Sequence, residues 1–570
     1  MKNLEVAKLL YNIADILELQ DVQWKPQAYR KAAQSIESLS EDIAQIHKKG
    51  KLEQIPGVGK HIAEKIAEFL EEGKLQYYDK LKKQVKVDIE GLNEIPSLGP
   101  KRIKILYKKL GIKTVKDLEK AIRNKALQGL EGFGEKIERS LLEGIDLVKH
   151  RPKRFLYIHA MPIVEEIKSI LQKQSFISKV EVAGSFRRGK ETIGDLDFLV
   201  VSSQPEKVMD IFTLIPDVKK VLAKGLTKGS VILSNGMQVD LRIVHPGEFG
   251  SASLYFIGNK EHNVALRKLA LKRGYSLSEY GLFTVKEKKW VAGKTEEEVY
   301  KKLRLQYIPP EIRRDQGEID AALKKKIPTL IEEKDVRGIF HNHTVWSDGA
   351  NSLIEMAKKA ENLKWKFISF NDHFGNVGIT KPLDERRLVK YLAEIEKVRK
   401  KVGLKVFSGV EIDILKDGTL PLPAKKLKEL DVVIASIHTS LKISSSDMTK
   451  RICSILENYP INILGHPTDR LLNGRPPLQF NLEEVFETAK KSGVFLEVNG
   501  SPSRMDLPGE LIKQAKDIGC KFAFGSDAHD LNHLEFSKKS SILMARRGWL
   551  ETKDVLNSWT FPKIEKGLKR

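Results

Sequence analysis

The chain has 570 residues, 41% of them hydrophobic, enough apolar material for about three to four packed domains. Its 99 lysines and arginines against 76 acids give a formal charge of +23, which points to a polyanionic partner and says nothing of fold. No apolar run spans a bilayer, so nucleic acid rather than membrane is expected, and two cysteines, Cys453 and Cys520, exclude a disulfide framework and suit a reducing cytoplasm.

The first residues mix acids (Glu5, Asp15, Glu18) with apolar side chains, which predicts an amphipathic helix and not a signal peptide. Ile55-Pro56-Gly57-Val58-Gly59-Lys60 then leads into a helical run from Ile62 to Leu70. The design recurs as Ile95-Pro96-Ser97-Leu98-Gly99-Pro100-Lys101 and Leu130-Glu131-Gly132-Phe133-Gly134-Glu135-Lys136. Glycines permit a tight turn that presents backbone N–H groups at a helix start, where a phosphate oxygen binds. The repeats resemble the helix-hairpin-helix motif, which grips DNA backbone without reading sequence. That resemblance puts Gly57, Gly59, Lys60, Gly99, Lys101, Gly132 and Gly134 on DNA, with Ser97 and Glu135 loosening the second and third grips.

In the middle of the chain Val180-Glu181-Val182-Ala183 reads as a strand, followed by Gly184-Ser185-Phe186-Arg187-Arg188-Gly189. Gly194-Asp195-Leu196-Asp197-Phe198 opens a second strand. Side chains two apart share a face, so Asp195 and Asp197 project together while Leu196 and Phe198 enter the core. A third strand, Gln238 to Val244, carries Asp240 and Arg242 on its polar face. Three carboxylates packed together repel unless they share cations, and hard oxygen ligands suit Mg2+ or Mn2+. Gly184 and Ser185 at a helix start, with Arg188 behind them, offer donors to a phosphate.

Gly-Ser followed by Asp-x-Asp resembles the nucleotidyltransferase signature, and residues 1 to about 315 are similar to family X DNA polymerases. The resemblance implies Asp195, Asp197 and Asp240 as catalytic ligands of two ions and Gly184, Ser185, Arg188 and Gly194 as the triphosphate cradle. It places Tyr255, Phe256, Gly258 and Asn263 on the incoming nucleotide, and Arg242 and Arg267 on template or DNA. Lys260 departs from the acid that DNA polymerase beta has there. Tyr29 to Ala33 and Gly57 to Lys65 are similar to the family's small 5′-phosphate-binding domain. By that likeness Lys65 is a possible lyase nucleophile, with Lys60 and Arg30 as the basic neighbourhood its amine would need and His61 where the family often has another lysine. Residues 316–334, with Lys324-Lys325-Lys326, match nothing and read as a solvated hinge.

Six of the thirteen histidines fall in acid-flanked clusters of the last third. They are His341 and His343 with Asp348, His373 after Asp372, His438, His466, and His529 with Asp527; Glu411 stands in a cluster of its own. Each cluster sits at or near the end of an apolar run such as Phe367 to Phe370, Val432 to Ile434 or Phe522 to Phe524, with helical periodicity between runs. Strand and helix in alternation predict a barrel with its active site at the carboxyl ends of the strands. The pattern resembles the PHP (polymerase and histidinol phosphatase) phosphoesterases. By that likeness His341, His343, Glu411 and Asp527 hold one metal, Glu411, His438 and His466 a second, and Asp348, His373 and His529 a third. Imidazole with carboxylate suits Mn2+, Zn2+ or Fe2+. Asn371 and Phe374 depart from the small serines often found there, a change expected to bear on pocket shape and not on metal retention.

The expected architecture is multidomain α+β and α/β. It runs from a helical 5′-phosphate-binding domain (1–80) and a fingers-like helical domain (81–150) to a nucleotidyltransferase palm (151–248) and thumb (249–315). A linker (316–334) leads to a (β/α) PHP barrel (335–570). With the barrel appended, the whole resembles bacterial and archaeal family X polymerases. This implies a cytoplasmic, nucleoid-associated monomer that fills short gaps in DNA with dNTPs, trims 3′ ends, and cuts at abasic sites in base excision repair. A DNA-binding scaffold with a relic barrel is a rival, opposed by the complete ligand set. A transferase acting on RNA ends or small molecules is another, opposed by the hairpins and the Tyr255-Phe256 pair.

Overall fold

In the computed structural model the described residues are 3–37, 43–55, 57–85, 87–93, 95, 98–130, 132–134, 137–139, 141–142, 144–145, 154–375 and 381–569. They form two compact units. The first comprises Met1–Lys153 with Leu233–Met237 and Lys260–Leu269, the second Arg154–Ile232, Gln238–Asn259 and Ala270–Arg570.

The first unit is helical. In its opening helix Asn3–Leu19, Val6, Leu10, Ile13, Ile16 and Leu17 recur at helical spacing and are buried. They join one hydrophobic cluster that continues through Ile36, Ile62, Leu92 and Leu118 to Ile145. The hairpin helices Lys60–Glu72 and Pro100–Leu110 both begin after an extended glycine (Gly59, Gly99) and end on a left-handed one (Gly73, Gly111).

In the second unit, a five-stranded sheet runs Ile177–Val182, Asp195–Ser202, Gln238–Ile243, Lys228–Leu233, Val218–Lys224 in spatial order. Asp195–Ser202 pairs in parallel with Gln238–Ile243, and its other neighbour is antiparallel. Leu196 and Phe198 are in the core, as alternation requires. After the helix Phe249–Ile257 come a three-stranded sheet (Tyr275–Ser278, Gly281–Thr284, Trp290–Ala292) and the helix Glu296–Lys302. Arg313 is completely buried there. Its guanidinium grips both oxygens of Glu296, which also accepts from Ser253 Oγ at 2.8 Å and Tyr307 Oη at 3.1 Å.

Residues 316–334 are not the solvated hinge expected of them. Glu318, Ala322, Ile327, Leu330 and Ile331 are buried, while Lys324, Lys325 and Lys326 are exposed. The Gln306 amide hydrogen-bonds Ile327 N–H and C=O at 3.0 and 3.1 Å, and Ile331 N–H donates to Leu550 at 3.0 Å. Apolar side chains spaced between the lysines turn a charged stretch into a packed strap.

The remainder is a closed barrel of seven parallel strands: Gly338–Asn342, Phe367–Phe370, Lys405–Asp413, Val432–Ser436, Ile463–Leu464, Phe495–Asn499 and Phe522–Ala528. Phe367–Phe370 pairs with both Gly338–Asn342 and Lys405–Asp413, while Phe522–Ala528 returns to Gly338–Asn342 and shuts the ring. Phe340, Phe367, Phe407, Ile463 and Phe495 fill its core, and Ile564 and Leu568 of the last helix, Phe561–Leu568, pack against them.

Removing Glu296 would strand the Arg313 charge in the interior. Glu296→Ala should cost about 3–5 kcal/mol in a urea unfolding experiment on the full chain, with partial recovery in Glu296→Ala/Arg313→Met. An unchanged midpoint would mean that the guanidinium finds water.

Candidate active sites

The parallel register sets Asp197 directly beside Asp240, with Asp195 two residues back on the same face. The Asp197 carboxyl is pushed up to about 7, first by burial and then by the charges of Asp195 and Asp240. Such a cluster ionises fully only when cations sit within it. Asp240 is held by Ser230, its partner on the adjacent strand, and by the Gln238 amide at 3.1 Å. Neither neighbour was singled out from sequence, because each is a commonplace polar residue on a strand.

Gly184 opens the short helix Gly184–Arg187 with φ +60°, and a Cβ there would lie 2.3 Å from Asp197 Oδ2. Only glycine allows this approach. Ser185 Oγ, next along, is buried without a hydrogen-bond partner, an orphaned donor suited to a phosphate oxygen. Arg188 reaches the Ile257 carbonyl at the end of the helix that carries Tyr255 and Phe256. Those two rings meet edge to face at 5.0 Å, and the Arg242 guanidinium lies 5.4 Å from the centre of Phe256. Gly258 caps that helix. Gly194 lies next to Arg154, a residue sequence reading missed, whose guanidinium is 3.2 Å from the place of a Cβ on Gly194 and hydrogen-bonds Thr192 Oγ1 at 2.7 Å. Asn263 and Arg267 stand four apart, one helical turn, on Lys260–Lys272.

The described residues of the three hairpins share a backbone hydrogen-bond pattern. Val58, Leu98 and Phe133 N–H donate to Ile55, Ile95 and Leu130 C=O at 2.9, 3.1 and 3.1 Å, and the Gly59, Gly99 and Gly134 carbonyls then accept the first helical bonds. Val58, Leu98 and Phe133 are buried, whereas Gly57, Gly59, Lys60, Gly99, Gly132 and Gly134 are exposed. Pro56, Pro96, Ser97, Glu131, Glu135, Lys136 and the Lys101 side chain lie outside the described residues. Lys65 Nζ donates to His61 C=O at 3.0 Å and lies 4.8 Å from the centre of the Tyr77 ring. Arg30, expected beside it as a free charge, is engaged by Asp15 at 2.6 Å and by Glu18.

In the barrel the histidines and acids converge from six strand ends on Glu411. His341 Nε2, His343 Nε2, His373 Nδ1, His438 Nε2 and His466 Nε2 lie 3.2, 3.5, 3.0, 3.3 and 3.0 Å from its oxygens. Asp527 Oδ1 is 3.9 Å from His341 and 3.4 Å from His343. Asp348 is 3.7 Å from His373 and 3.3 Å from His529 at the partly exposed mouth. Three groups have ligand atoms close enough to share an ion: His341-His343-Asp527, His373-Glu411-His438 and His343-Asp348-His373-His529. They overlap the expected sets, with His343 and His373 each serving two groups.

The donors fit metal. His341 Nε2, His343 Nε2, His373 Nδ1 and Glu411 Oε2 are buried with no hydrogen-bond partner. His343 is pushed down to about 3 by burial and by His529 and His373, which leaves a neutral ring with one nitrogen lone pair free to ligate. Burial alone would raise the Glu411 carboxyl, but His341, His373 and His438 outweigh it and hold the group well below its usual range. His341, Asp527 and His466 keep positive φ (61°, 51° and 22°), a strain of about 1–3 kcal/mol each that persists where a site requires it.

Behind the rings stand carboxylates that sequence reading did not assign: Glu497 at 2.6 Å from His341 Nδ1, Asp413 at 3.5 Å from His438 Nδ1, and Asp469 at 3.7 Å from His466 Nδ1. Glu497 hydrogen-bonds its ring and so fixes the orientation and tautomer of His341, whereas Asp413 and Asp469 stand near their rings without a hydrogen bond. Glu497 was findable, since it ends the apolar run Val494-Phe495-Leu496 just as the other acids end theirs. Arg504 bridges Asp469 at 2.6 Å and Asp527 at 3.2 Å. Asn371 accepts from His341 N–H at 3.1 Å and from Ser369 Oγ at 2.8 Å, so this departure from the family pattern braces the backbone of a proposed ligand.

Known proteins match in the same order along the chain. Residues 1–75 match a helix-hairpin-helix domain, 89–146 a SAM-like helix-hairpin-helix tandem, 157–242 the DNA polymerase beta palm, 252–314 the DNA polymerase beta thumb and 340–501 the PHP domain. DNA polymerase lambda of Rattus norvegicus is 27% identical over 54% of this chain and 56% of its own. A protein of Thermoanaerobacter sp. (strain X514) named as a probable phosphatase is 33% identical over 33% of this chain and 77% of its own. The DNA polymerase/3′-5′ exonuclease PolX of Bacillus subtilis (strain 168) is 35% identical across the whole of both chains. With its palm, thumb, hairpins and barrel all matched end to end, the chain belongs to the family X DNA polymerases that carry a C-terminal PHP domain.

Proposed function

We propose that this polymerase trims a damaged or mismatched 3′ end in its barrel and fills short gaps at its palm, in base excision repair, with cleavage at abasic sites as a further activity of the barrel. Gapped or nicked DNA and dNTPs are its substrates, and it acts as a monomer at the nucleoid. The observation that carries the reading is the side-by-side pair Asp197 and Asp240, with the Gly184-Ser185 turn against it.

In the palm, Asp195 and Asp197 would hold two Mg2+ or Mn2+ ions and Asp240 one of them, and such ions would supply the positive charge that phosphoryl transfer requires. Asp240 also faces the primer 3′-OH and assists its deprotonation. Ser185 Oγ, Arg188 and the amides from Gly184 and Gly194 bind the triphosphate. Tyr255, Phe256, Gly258 and Asn263 orient sugar and base, and Arg242 and Arg267 meet the DNA. In the barrel, His341, His343, Asp348, His373, Glu411, His438, His466, Asp527 and His529 hold up to three Mn2+, Zn2+ or Fe2+ ions. These would polarise the phosphodiester and activate water near neutral pH. Glu497 keeps the His341 ring in place, and Asp413 and Asp469 add negative charge behind His438 and His466.

Asp195→Asn or Asp197→Asn should abolish nucleotide addition and leave 3′ trimming, whereas His341→Ala or Asp527→Ala should do the reverse. Primer extension and 3′-end digestion on one gapped duplex measure both, and joint loss in any of these variants would refute two independent sites.

With about five to eight phosphates neutralised, log affinity for gapped DNA should fall with log salt at a slope of roughly −4.5 to −7. A slope near zero would contradict the hairpin reading. Lys65 is the proposed nucleophile on a 5′-deoxyribose phosphate, so borohydride should trap an adduct that Lys65→Ala loses. No adduct, or one undiminished in the variant, would leave Lys65 as a phosphate contact.

A further inference from the structure

The loop that joins the triphosphate cradle to the catalytic strand, Arg187 to Gly194, is fastened at four points, three directly on the barrel and one through Glu311. Arg187 lies 3.7 Å from Glu311, which also pairs with Arg546 at 3.0 Å. The Arg188 carbonyl accepts from Arg547 Nη1 at 3.0 Å. Gly189 (φ +63°) is packed so closely that a Cβ would meet Leu543 at 3.0 Å. Glu191 is buried and faces two barrel arginines, Arg470 at 3.3 Å and Arg547 at 3.8 Å. A further tie holds Arg154, the residue beside Gly194, whose carbonyl accepts from Asn473 at 2.9 Å.

The surroundings are rich in cations. Burial, Arg547 and Arg188 push Arg314 down to about 10, and burial with Arg154 lowers Lys190. Glu191 is the carboxylate that this loop contributes among them. Burial would raise it, yet Arg547 and Arg470 hold it below its usual range. Arg470 also binds the Arg504 carbonyl at 3.0 Å and that of Met505, so Glu191 joins the cradle loop to a rigid part of the barrel and not to a mobile side chain.

We propose that Glu191 is a positioning residue of the polymerase site, through which Arg470 and Arg547 of the barrel hold the triphosphate cradle in its binding shape. The barrel therefore contributes to dNTP affinity independently of its metal centre. The mechanism is preorganisation: four fastenings fix a loop that would otherwise lose entropy on binding the nucleotide. This rests on the reading of Gly184, Ser185 and Arg188 as the triphosphate cradle.

The test is single-nucleotide filling of gapped DNA by the full chain in single-turnover mode, with dNTP concentration varied. Glu191→Gln should raise the dNTP dissociation constant about tenfold, the order expected for losing a charge-assisted hydrogen bond, and change the maximal rate less than twofold. The exonuclease rate should stay near that of the parent protein. A purely structural defect would instead lower the reacting fraction without moving the dissociation constant, and that result overturns the proposal. Should Glu191→Gln unfold at the assay temperature, Arg547→Lys serves instead: it keeps the charge but not the fork that spans Arg188 and Glu191. The same rise is expected, and an unchanged constant overturns the proposal. Ser185→Ala separates the two ideas. If it leaves dNTP affinity intact, the cradle reading itself fails; if it weakens affinity while Glu191→Gln and Arg547→Lys do not, only the positioning role fails.

Discussion

One buried carboxylate organises the C-terminal third of this protein. Glu411 has five imidazole nitrogens within 3.5 Å, drawn from strands far apart in sequence. A carboxylate taken out of water is costly unless positive charge surrounds it. Protonated rings can supply that charge: against the effect of burial, Glu497 and Glu411 hold His341 above the usual imidazole range and Glu411 with Asp413 does the same for His438, while His343, pressed between His373 and His529, is held neutral. Cations that took over the charge would release those protons and leave imidazoles with a carboxylate, the donor set of a metal centre. The closed parallel barrel is what brings them to one point, because every strand delivers its carboxyl end to the same rim.

The palm solves a similar problem with a different geometry. There a two-residue period and one parallel pairing bring three acids together, and burial with mutual repulsion pushes Asp197 up to about 7. The palm acids repel one another until cations join them, whereas the barrel acids are already stabilised by imidazoles. The centres differ in donor type: oxygen alone in the palm, nitrogen with oxygen in the barrel. That difference in hardness favours different ions at the two sites of one chain.

The two centres also share a compact unit, and the ground between them is stiff. Arginines from the barrel fasten the cradle loop, and the stretch from 316 to 334 is a packed strap. The hairpins of the other unit grip by backbone geometry repeated three times, which is suited to holding DNA without regard to sequence.

Local spacing, read with the resemblance to family X polymerases and PHP phosphoesterases, pointed to hairpins, palm, thumb and barrel, to Asp195-x-Asp197 with Asp240, and to the nine acids and imidazoles that the barrel brings together. Each depends on short-range rules: a strand alternates, a parallel strand is apolar until its carboxyl end, a hairpin needs glycines. Sequence reading passed over Glu497 and Asp469, although each stood beside a legible pattern, and did not reveal Ser230, Arg154 or Arg504, whose partners come from other strands or loops. Nor did it reveal that Arg30 is neutralised by Asp15 and Glu18, or that the lysine-rich stretch at 324–326 is the exposed face of a packed segment. Spacing along a chain says which face a side chain takes. Which other charges that face meets is settled only when strands pair and close, because the energy of a buried charge depends on partners that local pattern cannot name.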